Sequence, residues 1–261
     1  MTPDVALEKR NQLTKDGYCV VDGILTQDFL DELRQTSDRL LDAVEHPPHW
    51  KYQGSDLHIR GIDESAIDRL IHWKPTHDAL EEMGLGDFKS TGGFIILSKP
   101  PGGPPLYWHQ DWMGWNDPIS TAPWPQYLFL SYYLIDTTLE NGCFRIIPGT
   151  HLKRIPLHNR LVQAHAQGGY YVEEDDPYMF CDHPDAIDLP VKAGSLVIAE
   201  GRVLHAARGN QSNQRRTLLL GWHTRPPTPP DYWTGDVPEG IKNRDPNAIY
   251  EATREPGEYL V

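Results

Sequence analysis

The apolar positions divide the chain into a front with helical periods and a body of short β-like runs. Residues 4–16 form a polar helical stretch ending at Gly17, and residues 18–21 then read as a short strand closed by Asp22-Gly23. Thr26 offers a side-chain cap to a longer helix. In it Phe29, Leu30, Leu33, Leu40, Leu41 and Val44 recur at three-, four- and seven-residue spacings, until Pro47-Pro48 ends the pattern. Two shorter helices are predicted over 63–72 and 76–83. Gly92-Gly93 introduces a strand at 94–98, stopped by Pro100-Pro101. Further strands are predicted at 106–112, 127–135, 143–147, 195–199, 202–208 and 215–223, separated by turns rich in proline and glycine. The expected fold class is therefore mainly β with flanking α-helices, an antiparallel sandwich or barrel. We read one domain over 1–261: a helical part (1–90), a strand-rich core (91–225) and a loop-rich tail (226–261). The acidic stretch 173–185 is also expected to be a loop.

Composition narrows the function classes. With 39% hydrophobic residues and 8 Trp, 12 Tyr and 6 Phe in 261 residues, the chain can bury a core and is not a disordered polymer. A formal charge of −13 repels phosphate backbones and anionic lipid surfaces, so no nucleic acid and no membrane partner is expected. The longest apolar run, 127–135, is interrupted by Ser131 and is less than half of the roughly 20 residues that cross a bilayer. The first 25 residues carry charges throughout and show no secretory pattern, so the cytoplasm is the expected compartment. Cys19, Cys143 and Cys181 lie far apart, which suits reduced thiols. Oligomeric state is not legible in the pattern.

Candidate chemistry begins with the 12 histidines. His109-Gln110-Asp111 would place an imidazole and a carboxylate on one face of a strand, where both could bind one divalent metal. About 1.7 such H-x-D/E triplets arise by chance in this composition, and the chain has two. The second, His183-Pro184-Asp185, reads as a turn, because its proline opposes strand pairing. The first is surrounded by Leu106, Tyr107, Trp108, Trp112 and Trp115, an aromatic setting able to wall a pocket. His205, behind Val203 and Leu204, is the candidate second imidazole. Eleven residues on, Arg216 shares a period-two face with Leu218, Leu220 and Trp222. The intervening Gly209-Asn210-Gln211-Ser212-Asn213 reads as a hairpin-type connection that returns Arg216 on the neighbouring strand. An arginine facing inward among apolar side chains implies an anion, and Arg215, on the opposite face, is the reserve anchor. His46, His49, His58, His72, His77, His158, His165 and His223 read as ordinary core, rim or loop residues.

This order of residues resembles the phytanoyl-CoA dioxygenase family of Fe(II)/2-oxoglutarate-dependent oxygenases. The likeness extends over about 10–225. It includes Lys15-Asp16-Gly17-Tyr18, Asn141-Gly142-Cys143-Phe144-Arg145-Ile146-Ile147-Pro148-Gly149-Thr150-His151 and Ala193-Gly194-Ser195-Leu196-Val197-Ile198. The resemblance implies a double-stranded β-helix, a cupin-like jelly roll. It also implies Fe(II) on His109, Asp111 and His205, and 2-oxoglutarate held by Arg216 with Tyr127 nearby. Trp112 and Trp115 would stand against the substrate. The implied reaction consumes O2, releases succinate and CO2, and hydroxylates an unactivated C–H of a small-molecule metabolite; an intact Asp111 disfavours halogenation. Ala207 departs from relatives that have serine there. The alternatives are a cupin-like metal-binding or sensory domain without oxidative turnover, a non-redox metal isomerase or hydrolase, and an oxygenase of this class acting on an acyl-CoA thioester. The last would need a basic patch, for which Lys153, Arg154 and Arg160 are candidates. The acidic balance favours a neutral, cationic or modestly hydrophobic compound, gated by the insertion 155–190.

Overall fold

The computed structural model describes residues 1–45, 55–161, 176–257 and 259–261, with the side chains of residues 55 and 56 excepted. His46, His49, His165 and much of the insertion expected to gate the site lie outside the described residues. Helix α1 (Pro3–Asp16) is capped by Thr2 and ends on Gly17, whose φ of 85° is one that glycine adopts without steric cost. Strand β1 (Tyr18–Val21) follows. Helix α2 (Gln27–Asp42) starts where expected, with the Thr26 hydroxyl accepting from Phe29 N, but ends at Ala43, short of Pro47. Strand β2 (Ser55–Arg60) lies where no element was predicted, and α3 (Ser65–Ile71) and α4 (Lys74–Glu82) come after it.

The body consists of β3 (Lys89–Lys99), β4 (Leu106–His109), β5 (Tyr127–Tyr133), β6 (Phe144–Ile146), β7 (Ile187–Leu189), β8 (Leu196–Glu200), β9 (His205–Ala207) and β10 (Arg216–Thr224). They form a six-stranded sheet in the order β1-β8-β5-β10-β3-β2 and a four-stranded sheet in the order β4-β9-β6-β7. Every strand pairing is antiparallel. Two such sheets with helices outside one of them make the jelly roll the resemblance implied. The tail is mostly loop, as expected, with one helical turn at Glu239–Lys242.

The larger sheet is covered on both faces. Phe94, Ile96, Leu128, Leu130, Ile198 and Leu219 pack under the helices with Phe29, Leu33 and Ile67. Ile95, Leu97, Phe129, Tyr133, Val197 and Leu218 face the other sheet, where Phe144 and Ile146 meet them. This two-sided burial is why 127–135 reads as a continuous apolar run rather than an alternating one. The hairpin expectation is corrected here. Strands β9 and β10 lie in different sheets, so the 208–215 connection crosses the sandwich instead of turning back beside itself. Asn210 shapes that crossing, since its Nδ2 donates to Lys99 O at 3.0 Å and to Gln214 O at 2.7 Å. The three cysteines are free. No helix among the described residues is long and apolar enough to cross a membrane.

Candidate active site

His109 closes β4 and His205 opens β9; the two are direct cross-strand partners with ring centroids 4.1 Å apart. Each ring donates Nδ1–H to the carbonyl two residues behind it, Tyr107 O at 2.9 Å and Val203 O at 3.0 Å. A carbonyl only accepts, so these bonds set the tautomer and leave the Nε2 lone pairs available. Both Nε2 atoms face Asp111 Oδ1, at 3.8 and 3.9 Å. One ligand atom from each of the three residues lies within 4.8 Å of the others, so the three form one candidate site for a single ion. Burial, reinforced by His205, pushes the pKa of His109 down to about 3, and burial also lowers that of His205. Both imidazoles are therefore neutral, the form that ligates a metal.

Asp111 reaches this position by a different route from the expected one. The strand stops at His109, so strand alternation does not orient the carboxylate. Instead Asp111 N and Trp112 N both donate to Gly201 O at 2.9 Å. Glycine is required at this close approach, because a Cβ at position 201 would lie 2.4 Å from Tyr127 Cδ1. The second carboxylate oxygen, Oδ2, accepts from Trp222 Nε1 at 3.1 Å. Trp222 shares the inner face of β10 with Arg216, and that period-two relation was the available signal for its role. Replacing it as Trp222→Phe removes the donor that orients Asp111. We expect a fall of about 10- to 100-fold in affinity for a divalent metal, measured by titrating Fe(II) or Co(II) into the apoprotein. An unchanged affinity would show that Asp111 is oriented without the indole.

The turn between β8 and β9 ties these parts together. Arg202 and Glu200 are both fully buried and bonded at 2.8 Å. The same guanidinium donates to Ser120 O, Ala122 O and Trp124 O at 2.7–3.1 Å. Gln110, between the two candidate ligands, donates its amide to Arg202 O. From the other side Gly17 O accepts from Glu200 N at 2.8 Å, and a Cβ on Gly17 would come within 2.8 Å of Val203. Thr150 Oγ1 accepts from Leu204 N at 2.9 Å. Two segments quoted for the resemblance, around Gly17 and Thr150, thus converge on the turn that precedes His205, and the third, 193–198, leads into it along the chain.

Arg216 lies across the sandwich on the inner face of β10, opposite Lys99 of β3. It is only 4% exposed, and its Nε has no hydrogen-bond partner. Burial lowers the pKa of Arg216, while burial and the arginine's charge push Lys99 down to about 6. Lys99 Nζ donates to Pro104 O. Among the described residues no carboxylate lies within ion-pair distance of Arg216, so this buried, partly unsatisfied cation suits an incoming carboxylate. Arg215 is exposed and donates to Ser98 Oγ at 3.0 Å, which removes it as an anchor.

Tyr127 is near the site: burial and the Asp111 charge raise its pKa. The Trp112 ring lies 5.7 Å from that of Tyr127, tilted by 55°, and its Nε1 donates to Ser120 Oγ at 2.8 Å. Trp115, the other tryptophan expected against the substrate, has no accessible surface, since the loop after Asp111 folds it inward. Phe129 and Phe144 border His205, with centroids at 4.7 and 5.6 Å, and sequence reasoning missed both because they look like ordinary core. His183-Pro184-Asp185 is a turn, with Ala186 N donating to His183 O at 3.0 Å. His58, His72 and His77 take no part in the cluster, and the buried His158 stands behind it, 3.3 Å from Gln110 Nε2.

The chain is similar to several known proteins in sequence and in fold. A probable alpha-ketoglutarate-dependent hypophosphite dioxygenase of Stutzerimonas stutzeri is 27% identical over 188 residues, which span 70% of this chain and 57% of that protein. A phytanoyl-CoA dioxygenase domain-containing protein 1 of Bos taurus is 29% identical over 86% of this chain and 93% of its own length. The chain shares its fold with the epimerase SnoN from nogalamycin biosynthesis, solved with Fe3+, alpha ketoglutarate and nogalamycin RO. There the TM-score is 0.62 at 18% identity, covering 99% of this chain and 98% of that one. The family model described as phytanoyl-CoA dioxygenase matches residues 13–218, most of the chain and all of the cluster just described, and the chain belongs to the phytanoyl-CoA dioxygenase family.

Proposed function

We propose that this protein is an Fe(II)- and 2-oxoglutarate-dependent dioxygenase that hydroxylates an unactivated C–H of a small molecule, with His109, Asp111 and His205 as the iron ligands and Arg216 as the anchor of 2-oxoglutarate. The observation that carries the reading is one interior bearing two complementary groups. At the end of one sheet stand two buried imidazoles with a half-buried carboxylate beside them, their ligand atoms close together; on the facing sheet stands a buried guanidinium with an unsatisfied Nε. Two histidines and one carboxylate leave coordination positions open, which is the arrangement of non-haem iron oxygenases. Iron, when bound, supplies oxygen activation coupled to decarboxylation of 2-oxoglutarate to succinate and CO2.

The chain's own contribution is position and dryness. Nδ1–H bonds hold the imidazoles, Gly201 O and Trp222 hold the carboxylate, and Phe129 and Phe144 keep water from the His205 side. Arg216 offers a fork that a carboxylate can occupy. A sensory domain without turnover would have no use for a cation buried at this cost, and an isomerase or hydrolase would need no diacid. An acyl-CoA thioester is disfavoured because Arg154 is committed to the carbonyls of Leu260 and Gly257, and Arg160 lies 4.0 Å over the Tyr178 ring. The proposed basic patch is largely engaged elsewhere.

The test is spectroscopic. Anaerobic protein given Fe(II) and then 2-oxoglutarate is expected to develop a visible charge-transfer band. Arg216→Leu should weaken 2-oxoglutarate about 10- to 100-fold, the worth of one charge-assisted pair, with Fe(II) affinity retained. Absence of the band in the wild type, or equal 2-oxoglutarate affinity in the variant, rejects the assignment.

A further inference from the structure

The tail beyond β10 is fastened to the loop that begins at Asp111. Arg244 donates from Nε to Asp117 Oδ1 and from Nη2 to Asp117 Oδ2, both at 2.7 Å. Further along, Glu251 O accepts from Asn116 Nδ2 at 3.1 Å. Thr253 N donates to Met113 O at 2.7 Å, and Thr253 forms a parallel bridge with Gly114. The tail therefore grips residues 113–117 at successive points. Arg154 gathers its end, donating to Leu260 O at 2.8 Å and to Gly257 O at 2.7 Å.

The gripped loop is tied together internally. Trp112 Nε1 donates to Ser120 Oγ, Ser120 Oγ donates to Gly114 O at 2.6 Å, and Asp117 N donates to the same carbonyl at 3.0 Å. Asp117 Oδ1 also accepts from Ile119 N at 3.0 Å, so the carboxylate that binds Arg244 is the one that shapes the turn. Toward the metal cluster this unit hangs from Gly201 O and from the Arg202 guanidinium; on its other side the tail holds it. A C-terminal segment ordinarily covers apolar surface, and Ile241 does so by packing with Ile119, Ala122 and Trp124. Arg244 adds something that packing does not. An ion pair such as Lys242–Glu239, with side chains 51% and 76% exposed, contributes little because water screens it. Arg244 and Asp117 are 17% and 14% exposed and joined by two N–H···O bonds, a geometry that fixes orientation as well as distance. The tail residues that make these contacts lie outside residues 13–218, which the family model matches.

We propose that Arg244 is a positioning residue of the metal site: by holding Asp117 it fixes the loop that begins at Asp111, so that tight metal binding requires a tail that gives no ligand to the cluster. This role rests on the dioxygenase reading and extends it to a part of the chain that reading does not use. Trp222 orients the Asp111 carboxylate directly, at Oδ2. The tail acts one step further out, on the backbone that follows the ligand, and a ligand is only as fixed as the chain that carries it.

The test titrates Fe(II) anaerobically into the full-length apoprotein of wild type, Arg244→Gln, Arg244→Lys and Lys242→Gln, with thermal unfolding and hydrogen exchange followed on the same proteins. Arg244→Gln is expected to weaken Fe(II) about 10-fold, the lower end of what losing a partner that orients a ligand costs. Exchange should quicken at residues 112–120 and 250–255, while β5 and β8 keep their protection. Arg244→Lys, which keeps the charge without the fork, should recover part of both effects. Lys242→Gln, which breaks the exposed pair on the same tail, should change neither. A purely structural role would lower the thermal midpoint and leave Fe(II) affinity at the wild-type value, and that result overturns the proposal. Unchanged exchange at 112–120 in Arg244→Gln overturns it as well. Thr253→Pro, which removes the N–H bonded to Met113 O, should act in the same direction. It and Arg244→Lys decide on the same terms if Arg244→Gln does not fold. A wild-type protein that binds no Fe(II) strikes the dioxygenase reading instead, so the two failures are told apart.

Discussion

Asp111→Ala is expected to abolish Fe(II) binding and 2-oxoglutarate consumption together, leaving a folded protein. The carboxylate is the one anionic donor in the cluster, and its Oδ1 faces both imidazole Nε2 atoms at under 4 Å. Loss of an outer-shell partner costs about 10- to 100-fold in metal affinity, and removal of the ligand itself should exceed that, at about 1,000-fold or more. The fold should survive, because the bonds that hang this segment from Gly201 O come from the backbone of Asp111 and Trp112, which alanine keeps. Only the Trp222 indole loses a partner, at a cost of about 1 kcal/mol in the apoprotein. Asp111→Asn sharpens the test. It preserves volume and an acceptor for Trp222 but removes the charge, so it should fail nearly as completely as alanine. An asparagine variant with near-wild-type Fe(II) affinity and turnover would show that the side chain orients the tryptophan and does not ligate.

The reason this site could be anticipated lies in which of its parts are local in sequence. Arg216, Leu218, Leu220 and Trp222 occupy one regular strand, and period-two alternation alone put the arginine inside; Arg215, one residue away, is exposed. Thr26 marked the start of α2 because a hydroxyl there satisfies an orphan N–H, which is again a local event. His205 could be named as the second imidazole, but what joins it to His109 is not local: a cross-strand register spanning almost a hundred residues makes that pair, and a carbonyl at position 201 sets Asp111. No window of the sequence contains both ends of either contact. The crossing from β9 to β10 was misread for a related reason: its turn-rich residues suit a hairpin and a sheet-to-sheet passage equally, and only the packing of Phe144 and Ile146 against Val197 and Leu218 decides between them. Strand β2 shows the reverse case. Leu57 and Ile59 do alternate with His58 and Arg60, but an edge strand with one covered face leaves so short a signal that the helical periods around it dominate.

Glu200→Leu should give the largest loss of stability of any single change near the site. Glu200 and Arg202 have no exposed side-chain surface; burial pushes the carboxyl pKa up, and the adjacent guanidinium opposes that shift. Removing one member leaves an uncompensated buried charge, which costs about 3–5 kcal/mol. For a chain of this size that lowers the thermal midpoint by roughly 6 to 20 °C. Buried pairs can often be exchanged for apolar residues without penalty, but this one is more than a pair. Arg202 also supplies donors to the carbonyls of Ser120, Ala122 and Trp124, and each buried carbonyl left without a donor costs about 1–3 kcal/mol. The double variant Glu200→Leu/Arg202→Met should therefore remain well below wild type instead of recovering. Because Gly201 lies between the two residues and its carbonyl holds Asp111, both variants should lose Fe(II) affinity along with stability. Calorimetry paired with Fe(II) titration checks this. A double variant that melts with wild type would mean that the ion pair is dispensable to the turn, and intact Fe(II) affinity in a strongly destabilised Glu200→Leu protein would mean that the metal cluster is built independently of it.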